Sequence, residues 1–312
     1  MRSYPPPQVT CRSFPGRPME LSLKSGFVRA AGHRLYWESF GGGARGALLC
    51  LHGGPGATRE LMRPFMALGR FGYRVVLYDQ FGCGQSQRPS DYRGMTIESL
   101  ADEADAVRVA LRLRRCHLLG FSFGGALALQ TVLRHPRGYR SLIVGSGYAS
   151  AEEMQGEMRR LVAKLPGNDR KAIRRCESAG ELSDRRYLRA VSVFNRRHLS
   201  DLEVIPIDLV LAGQHFNPAV AMALYGPDDL TSRFTGSMTG WDVRDQLRSI
   251  QVPTLITVGR RDSVAPRCAQ SIHRRIRSSK LVIFQKSGHD YVYKEQDRLL
   301  STVRDFLEQV GR

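Results

Sequence analysis

The chain alternates short apolar runs with longer stretches of helical period. Residues 26–39 predict a β-hairpin, in which the alternation His33-Arg34-Leu35-Tyr36-Trp37 marks a half-buried strand. Apolar runs bounded by turn residues recur at 47–51, 74–78, 116–120, 141–146, 253–258 and 280–285. They have the length of strands and read as buried on both faces. Over 96–115 the spacing predicts a helix, with Ile97, Leu100, Ala104, Val107 and Leu111 on one face. Glu98, Asp102, Glu103 and Asp105 come early in it and Arg112, Arg114 and Arg115 late, as a helix dipole favours. Strands alternating with helices imply an α/β fold, a mostly parallel sheet covered by helices on both faces. Between about 150 and 240 the strand signal fades and charged helical stretches take over. The expected organisation is a flexible N-terminal tail over 1–25, a core built from 26–149 and 241–312, and an inserted helical lid over 150–240.

Composition narrows this picture. A chain of 312 residues with a 42% apolar share can bury one large core. No run approaches the roughly 18 apolar residues of a membrane helix. The proline-rich N-terminus lacks the apolar centre of a signal peptide. The six cysteines, Cys11, Cys50, Cys83, Cys116, Cys176 and Cys268, show no paired spacing, which predicts buried free thiols and a cytoplasmic location. The net charge of +18 raises nucleic-acid binding, but only six of the 47 basic residues are lysine, and the arginines are spread over nearly every predicted helix. That spread is not a binding stripe, so neither nucleic acid nor membrane is expected as a partner. The pairs Arg159-Arg160, Arg174-Arg175, Arg185-Arg186 and Arg196-Arg197 read as a solvated lid surface, with an anionic partner as the alternative.

Candidate chemistry sits at the ends of the apolar runs. Gly120-Phe121-Ser122-Phe123-Gly124-Gly125 joins the run at 116–120 to a helical segment, so it is Gly-x-Ser-x-Gly in the strand-to-helix context of a nucleophile elbow. Taken alone it is also compatible with a plain glycine-rich turn. Upstream, His52-Gly53-Gly54-Pro55-Gly56 follows another apolar run and predicts an oxyanion loop, with the amides of Gly54 and Phe123 as donors and His52 as a brace. A dinucleotide or phosphate loop fails on spacing. A serine needs a base and the base an orienting acid, in the chain order serine, acid, histidine. Asp262 and His289 each follow a C-terminal strand run and complete the set. His33, His117, His135, His198, His215 and His273 lack that placement and read as surface or packing residues. This chemistry requires no cofactor and no metal.

The oxyanion loop, the run Tyr78-Asp79-Gln80-Phe81-Gly82-Cys83-Gly84-Gln85-Ser86 and the elbow resemble the proline iminopeptidase family of α/β-hydrolases, over about residues 26–308. Tyr225-Gly226-Pro227-Asp228-Asp229 and Gly240-Trp241-Asp242-Val243 extend the likeness into the lid. The resemblance implies a serine exopeptidase or amidase that removes an N-terminal residue from a small peptide or acyl-amide substrate, with lid carboxylates gripping the free α-amine. It assigns Gly53, Asp228 and Asp229 to substrate binding. Three departures fall on recognition. Ser263 stands where the tricorn-interacting aminopeptidase branch, which the chain resembles most, places an acidic residue after the triad aspartate, Asp229 with Asp228 stands nearest to that branch's lid glutamate, and Phe123 replaces the tyrosine or tryptophan usual in the family. A helix cap or solvated turn after Pro227 is the alternative reading of the aspartate pair.

The expected function is a serine hydrolase cleaving an amide through an acyl-enzyme. Two alternatives remain: an esterase or tailoring amidohydrolase or acyltransferase acting on a small metabolite, and a slow-turnover ligand-sensing protein on the same fold. Epoxide hydrolase and dehalogenase chemistry is disfavoured, because those enzymes place aspartate where Ser122 stands. Nothing in the sequence indicates an oligomeric state.

Overall fold

The computed structural model describes residues 22–227, 230–231 and 233–311. Eight strands form one sheet in the order β1-β2-β4-β3-β5-β6-β7-β8. β1 (Leu23–Ala30) and β2 (His33–Phe40) make the hairpin, turned by Ala31 and Gly32, both at positive φ. β2 also pairs antiparallel with β4 (Arg74–Tyr78). β3 (Ala47–Leu51), β4, β5 (Cys116–Phe121), β6 (Tyr139–Gly145), β7 (Thr254–Gly259) and β8 (Ser279–Phe284) run parallel. β1 begins at Leu23, so residues 23–25 belong to the sheet and not to the tail expected over 1–25; residues 1–21 lie outside the described residues.

Every residue of β5 and β7 is buried, as strands sandwiched between helical layers must be. On one face pack α1 (Ile97–Ala110), α2 (Phe123–Arg134) and α8 (Pro266–His273). The other face is covered by a 3-10 segment, Arg59–Phe71, with α9 (Tyr291–Lys294) and α10 (Gln296–Val310). α1 is shorter than the expected 96–115. Thr96 and Ser99 cap its start reciprocally, and Leu111 caps its end. Arg112 and Arg114 then adopt left-handed backbone that turns the chain into β5, so they follow the helix and only Arg108 lies in its last turn.

Between β6 and β7 the described residues form five α-helices, α3 (Ala151–Val162), α4 (Gly167–Ala179), α5 (Arg185–His198), α6 (Ile207–Gln214) and α7 (Pro218–Leu224), and a 3-10 segment, Arg244–Ser249. Ser150, Asp184 and Asn217 cap α3, α5 and α7 through their side chains. Leu161, Ile173, Cys176, Tyr187, Ala190 and Phe194 give α3–α5 a small core of their own. The arginine pairs at 174–175, 185–186 and 196–197 point to solvent. Cys50, Cys83, Cys116, Cys176 and Cys268 are free and buried; Cys11 lies outside the described residues. Burial lifts the Cys116 thiol to about 12 and the Cys50 and Cys268 thiols higher still, which keeps these groups protonated. No helix among the described residues is long and apolar enough to cross a membrane.

Candidate active site

Ser122 stands between β5 and α2 with φ 59° and ψ −125°, a conformation that L-residues rarely adopt. Glycines make the turn possible. A Cβ at Gly120 would lie 1.8 Å from the Gly124 carbonyl oxygen, and one at Gly124 would lie 2.2 Å from the Leu51 carbonyl oxygen. The Ser122 amide donates to the Gly145 carbonyl at 2.8 Å, which ties the elbow to β6. Phe123 and Gly124 open α2, so their amides have no carbonyl of their own helix to reach and are free for a ligand oxygen.

The loop after β3 meets this turn at Gly53. A Cβ there would sit 2.9 Å from Ser122 Cβ and 3.5 Å from Ser122 Oγ, so Gly53 lies directly against the candidate nucleophile. Gly54 follows, exposed and at φ +116°. The loop is braced from beneath by His52. The amide of Gln80 donates to His52 Nε2 at 3.1 Å, which leaves Nδ1 to donate to the Gly53 carbonyl at 2.9 Å. Gln80 Nε2 also donates to the His52 carbonyl at 2.9 Å. Burial lowers the His52 pKa and holds the ring neutral, as this pattern requires.

The run after β4 is the scaffold of that brace. Asp79 accepts from the Arg59 amide, Arg59 Nη1 and the Gln85 amide at 2.9, 2.7 and 2.9 Å. A Cβ at Gly84 would fall 2.3 Å from Asp79 Oδ2, so only glycine fits there. Ser86 Oγ donates to the Asp79 carbonyl at 2.5 Å and accepts from the Tyr36 amide at 2.9 Å.

Asp262 follows β7 and His289 follows β8. His289 Nδ1 lies 2.7 Å from Asp262 Oδ1, and the imidazole ring packs on Phe121, the residue before Ser122, with centroids 4.9 Å apart. Asp262 is fully buried. Its Oδ1 also accepts from the Val264 amide at 2.8 Å; its Oδ2 accepts from Ser146 Oγ at 2.5 Å and from the Gly259 amide at 3.3 Å. Ser146, held at φ 45° just beyond β6, has no signature in the sequence that marks it as a partner of Asp262. His198, expected as a surface or packing residue, sits against the acid loop instead: its Nδ1 bonds the Arg261 carbonyl at 2.8 Å. His117 is a packing residue, bonded to Ser141 Oγ at 2.8 Å and lowered by burial to about 4.

An aromatic wall rises from the elbow. Phe123 meets Tyr225 edge-on at 6.0 Å, Tyr225 stacks on Phe234 at 4.1 Å, and the Tyr225 and Tyr148 hydroxyls are 2.5 Å apart. Trp241 packs edge-on to Tyr148 and donates from Nε1 to Gln130 Oε1 at 2.8 Å. Ser263 is buried, and its amide donates to the His198 carbonyl at 3.0 Å. Asp228 and Asp229 lie outside the described residues. Among the described residues, Cys176, Glu181 and Asp184 bring potential metal-ligating atoms within 4.8 Å of one another, but Asp184 is already taken by the Arg186 side chain and amide.

The family model of the α/β hydrolase fold matches residues 46–295. A proline iminopeptidase from Saccharolobus solfataricus is 36% identical over 293 residues, covering 93% of this chain and 94% of that protein. The chain belongs to the proline iminopeptidase family of α/β hydrolases. Another relative of that name, from Thermoplasma volcanium, is 32% identical over 92% of this chain and 97% of its own length. The crystal structure of the proline iminopeptidase of Mycobacterium smegmatis superposes with a TM-score of 0.85 at 28% identity, covering 92% of this chain and 99% of that one. The likeness to these relatives thus runs over nearly the whole chain and is not confined to a short motif.

Proposed function

We propose that the protein is a cofactor-independent serine aminopeptidase that releases an N-terminal residue, proline among the candidates, from a small peptide or acyl-amide through an acyl-enzyme. The observation that carries this reading is the Asp262–His289 pair, 2.7 Å apart and packed on Phe121 beside the strained Ser122. Asp262 fixes the imidazole with Nδ1–H toward the carboxylate, which leaves Nε2 to take the Ser122 proton. Ser122 Oγ attacks the substrate carbonyl, and the amides of Phe123 and Gly54 receive the developing oxyanion at the start of α2. His289 then donates its proton to the leaving amine, and water resolves the acyl-enzyme by the same route. Gly53 leaves room for the substrate carbonyl directly against Ser122.

An α-ammonium taken out of water needs an opposite charge. Asp228 and Asp229 are proposed to supply it. The contact of Tyr225 with Phe123 supports this, because the two aspartates follow Tyr225 by three and four positions in the sequence, and Tyr225 is packed on the elbow. Ser263 favours a second reading, an acyl hydrolase indifferent to the amine, since no carboxylate stands beside Asp262 at that position. A cytoplasmic location belongs to the same proposal.

A panel of aminoacyl p-nitroanilides, prolyl included, each with its α-amine free or acetylated, separates the two readings, with Ser122→Ala as blank. Cleavage confined to the free-amine set supports the aminopeptidase. Equal rates on both sets, or activity on esters alone, overturn it in favour of the second reading.

A further inference from the structure

The helical insertion does more than stand over the site. At two points, the end of α5 and the start of α7, it is bonded into the loops that carry the catalytic groups. At the first point, the His198 carbonyl, the last of α5, accepts from the Ser263 and His289 amides, both at 3.0 Å, and the Leu199 carbonyl accepts from the Asp290 amide at 3.0 Å. Carbonyls at a helix C-terminus lack partners in their own helix, and here the acid and base loops satisfy them. Gly288 must be glycine for the same contact, since a Cβ would lie 2.7 Å from the His198 carbonyl oxygen.

At the second point stands Asn217, buried at the N-cap of α7. Its amide donates to the Gly56 carbonyl at 2.8 Å, and its Nδ2 donates to the Gly82 carbonyl and to the Tyr92 hydroxyl, both at 2.7 Å. Its Oδ1 accepts from the Ala219 amide at 3.1 Å and caps the helix. Gly56 lies two residues beyond Gly54 in the oxyanion loop, and Gly82 two residues beyond Gln80, the brace of His52. Contact at both is tight. A Cβ at Gly56 would fall 2.4 Å from the Asn217 carbonyl oxygen, and one at Gly82 would fall 2.9 Å from Val220 Cγ2 of α7.

We propose that Asn217 is a positioning residue for the oxyanion hole: through Gly56 and Gly82 it sets the Gly54 amide from within the insertion. This rests on the reading of Ser122, Asp262 and His289 as the catalytic triad. The acid and base loops are held separately, at His198, so loss of the Asn217 side-chain bonds loosens the oxyanion donor and leaves the base in place. Misplacing a reacting group by about 1 Å costs about 100-fold, and removing an oxyanion donor outright costs about 100- to 1,000-fold. Asn217→Asp keeps the capping oxygen and removes the donor to Gly82, so its effect is smaller than outright removal.

Asn217→Asp is expected to lower kcat about 10- to 100-fold on a prolyl p-nitroanilide, with KM within about threefold of wild type. Affinity for an aminoacyl boronate with a free α-amine, whose tetrahedral adduct occupies the oxyanion hole, should fall by a similar factor, while the acidic limb of the kcat/KM–pH profile stays in place. Tyr92→Phe removes only the hydroxyl partner. It should lower kcat a few-fold in the same direction, which keeps the test open should Asn217→Asp fold poorly. An unchanged kcat, a raised KM at constant kcat, or a moved pH profile would each overturn the proposal. A wild type whose Ser122 takes neither substrate nor a fluorophosphonate probe overturns the triad reading and this inference with it. A wild type that takes both, and is matched by Asn217→Asp, overturns this inference alone.

Discussion

Asparagine in place of Asp262 removes the charge behind the base while nearly preserving shape, and the surrounding donors dictate how the new amide turns. Oδ1 receives the Val264 amide at 2.8 Å as well as His289 Nδ1 at 2.7 Å. A backbone N–H cannot become an acceptor, so the asparagine oxygen must take that place. Its nitrogen then falls at the Oδ2 position, facing Ser146 Oγ, a hydroxyl that can rotate to accept. The only bond given up is the long one from the Gly259 amide, at 3.3 Å. His289 therefore keeps a proton on Nδ1, the productive tautomer, and loses only the carboxylate's attraction for the imidazolium formed in the transition state. Two unit charges about 4 Å apart at an effective dielectric of about 20 interact by about 4 kcal/mol. At about 1.4 kcal/mol per decade this limits the loss to about 100- to 1,000-fold in kcat/KM, against the roughly 10,000-fold that accompanies a wrong tautomer. Steady-state kinetics on a prolyl p-nitroanilide, with imidazole nitrogen resonances reporting the protonated site, provide the assay. A single-variant loss of 10,000-fold with the proton on Nε2 refutes the orientation argument. A loss below tenfold refutes Asp262 as the partner of the base.

Other outcomes follow from the same geometry. Gly53→Ala places a methyl 2.9 Å from Ser122 Cβ and 3.0 Å from the Phe121 carbonyl oxygen, so kcat should fall by about 100-fold while a thermal melt shows a destabilisation of only about 1–3 kcal/mol; a wild-type rate contradicts the contact. Glu103, buried and bonded to the Phe81 amide at 3.2 Å, is lifted by burial from 4.5 to about 8. Between those values the folded chain keeps a proton that the unfolded chain has released, so this group makes stability fall as pH rises from about 4.5 to about 8. Glu103→Gln should therefore flatten the decline in Tm between pH 5 and pH 8, and parallel curves for variant and wild type would reject the assignment. Arg59→Met leaves the buried Asp79 and Glu38 carboxylates, each 2.7 Å from the guanidinium, without their cation, a loss of about 3–5 kcal/mol that urea denaturation would register; a shift under 1 kcal/mol would show that the cluster tolerates the loss.

The strands were legible because a parallel sheet buried on both faces leaves uninterrupted apolar runs, and each such run from β3 to β8 falls within two residues of its predicted place. The candidate triad was legible for a related reason. Its members follow directly on such runs, and the glycines around Ser122 answer to backbone oxygens about 2 Å from where a side chain would begin. What escaped depends on contacts between distant segments. Ser146 is one of several serines and glycines after β6, and only the parallel pairing of β6 with β7 brings it to Asp262, 116 positions away. Asn217 before Pro218 is a readable helix start, but its bond to Gly82, 135 positions back, has no local trace. The apolar period continues to Leu111 and so predicts a longer α1, whereas the left-handed backbone at Arg112 and Arg114 is set by the short return to β5. The departure at Ser263 is visible in the sequence. Its consequence for the α-amine lies with Asp228 and Asp229, beyond the described residues.

The central claim is that Ser122 carries an aminoacyl group during turnover. Rapid acid quenching of the enzyme with a prolyl ester, followed by mass spectrometry of the peptide spanning the elbow, tests it directly. The account predicts a prolyl adduct on Ser122 that forms within one turnover, decays as substrate is exhausted, and is absent from Ser122→Ala, which should also have lost several orders of magnitude in kcat with its fold intact. Turnover at the wild-type rate by Ser122→Ala, or a prolyl adduct on any other residue, would contradict it.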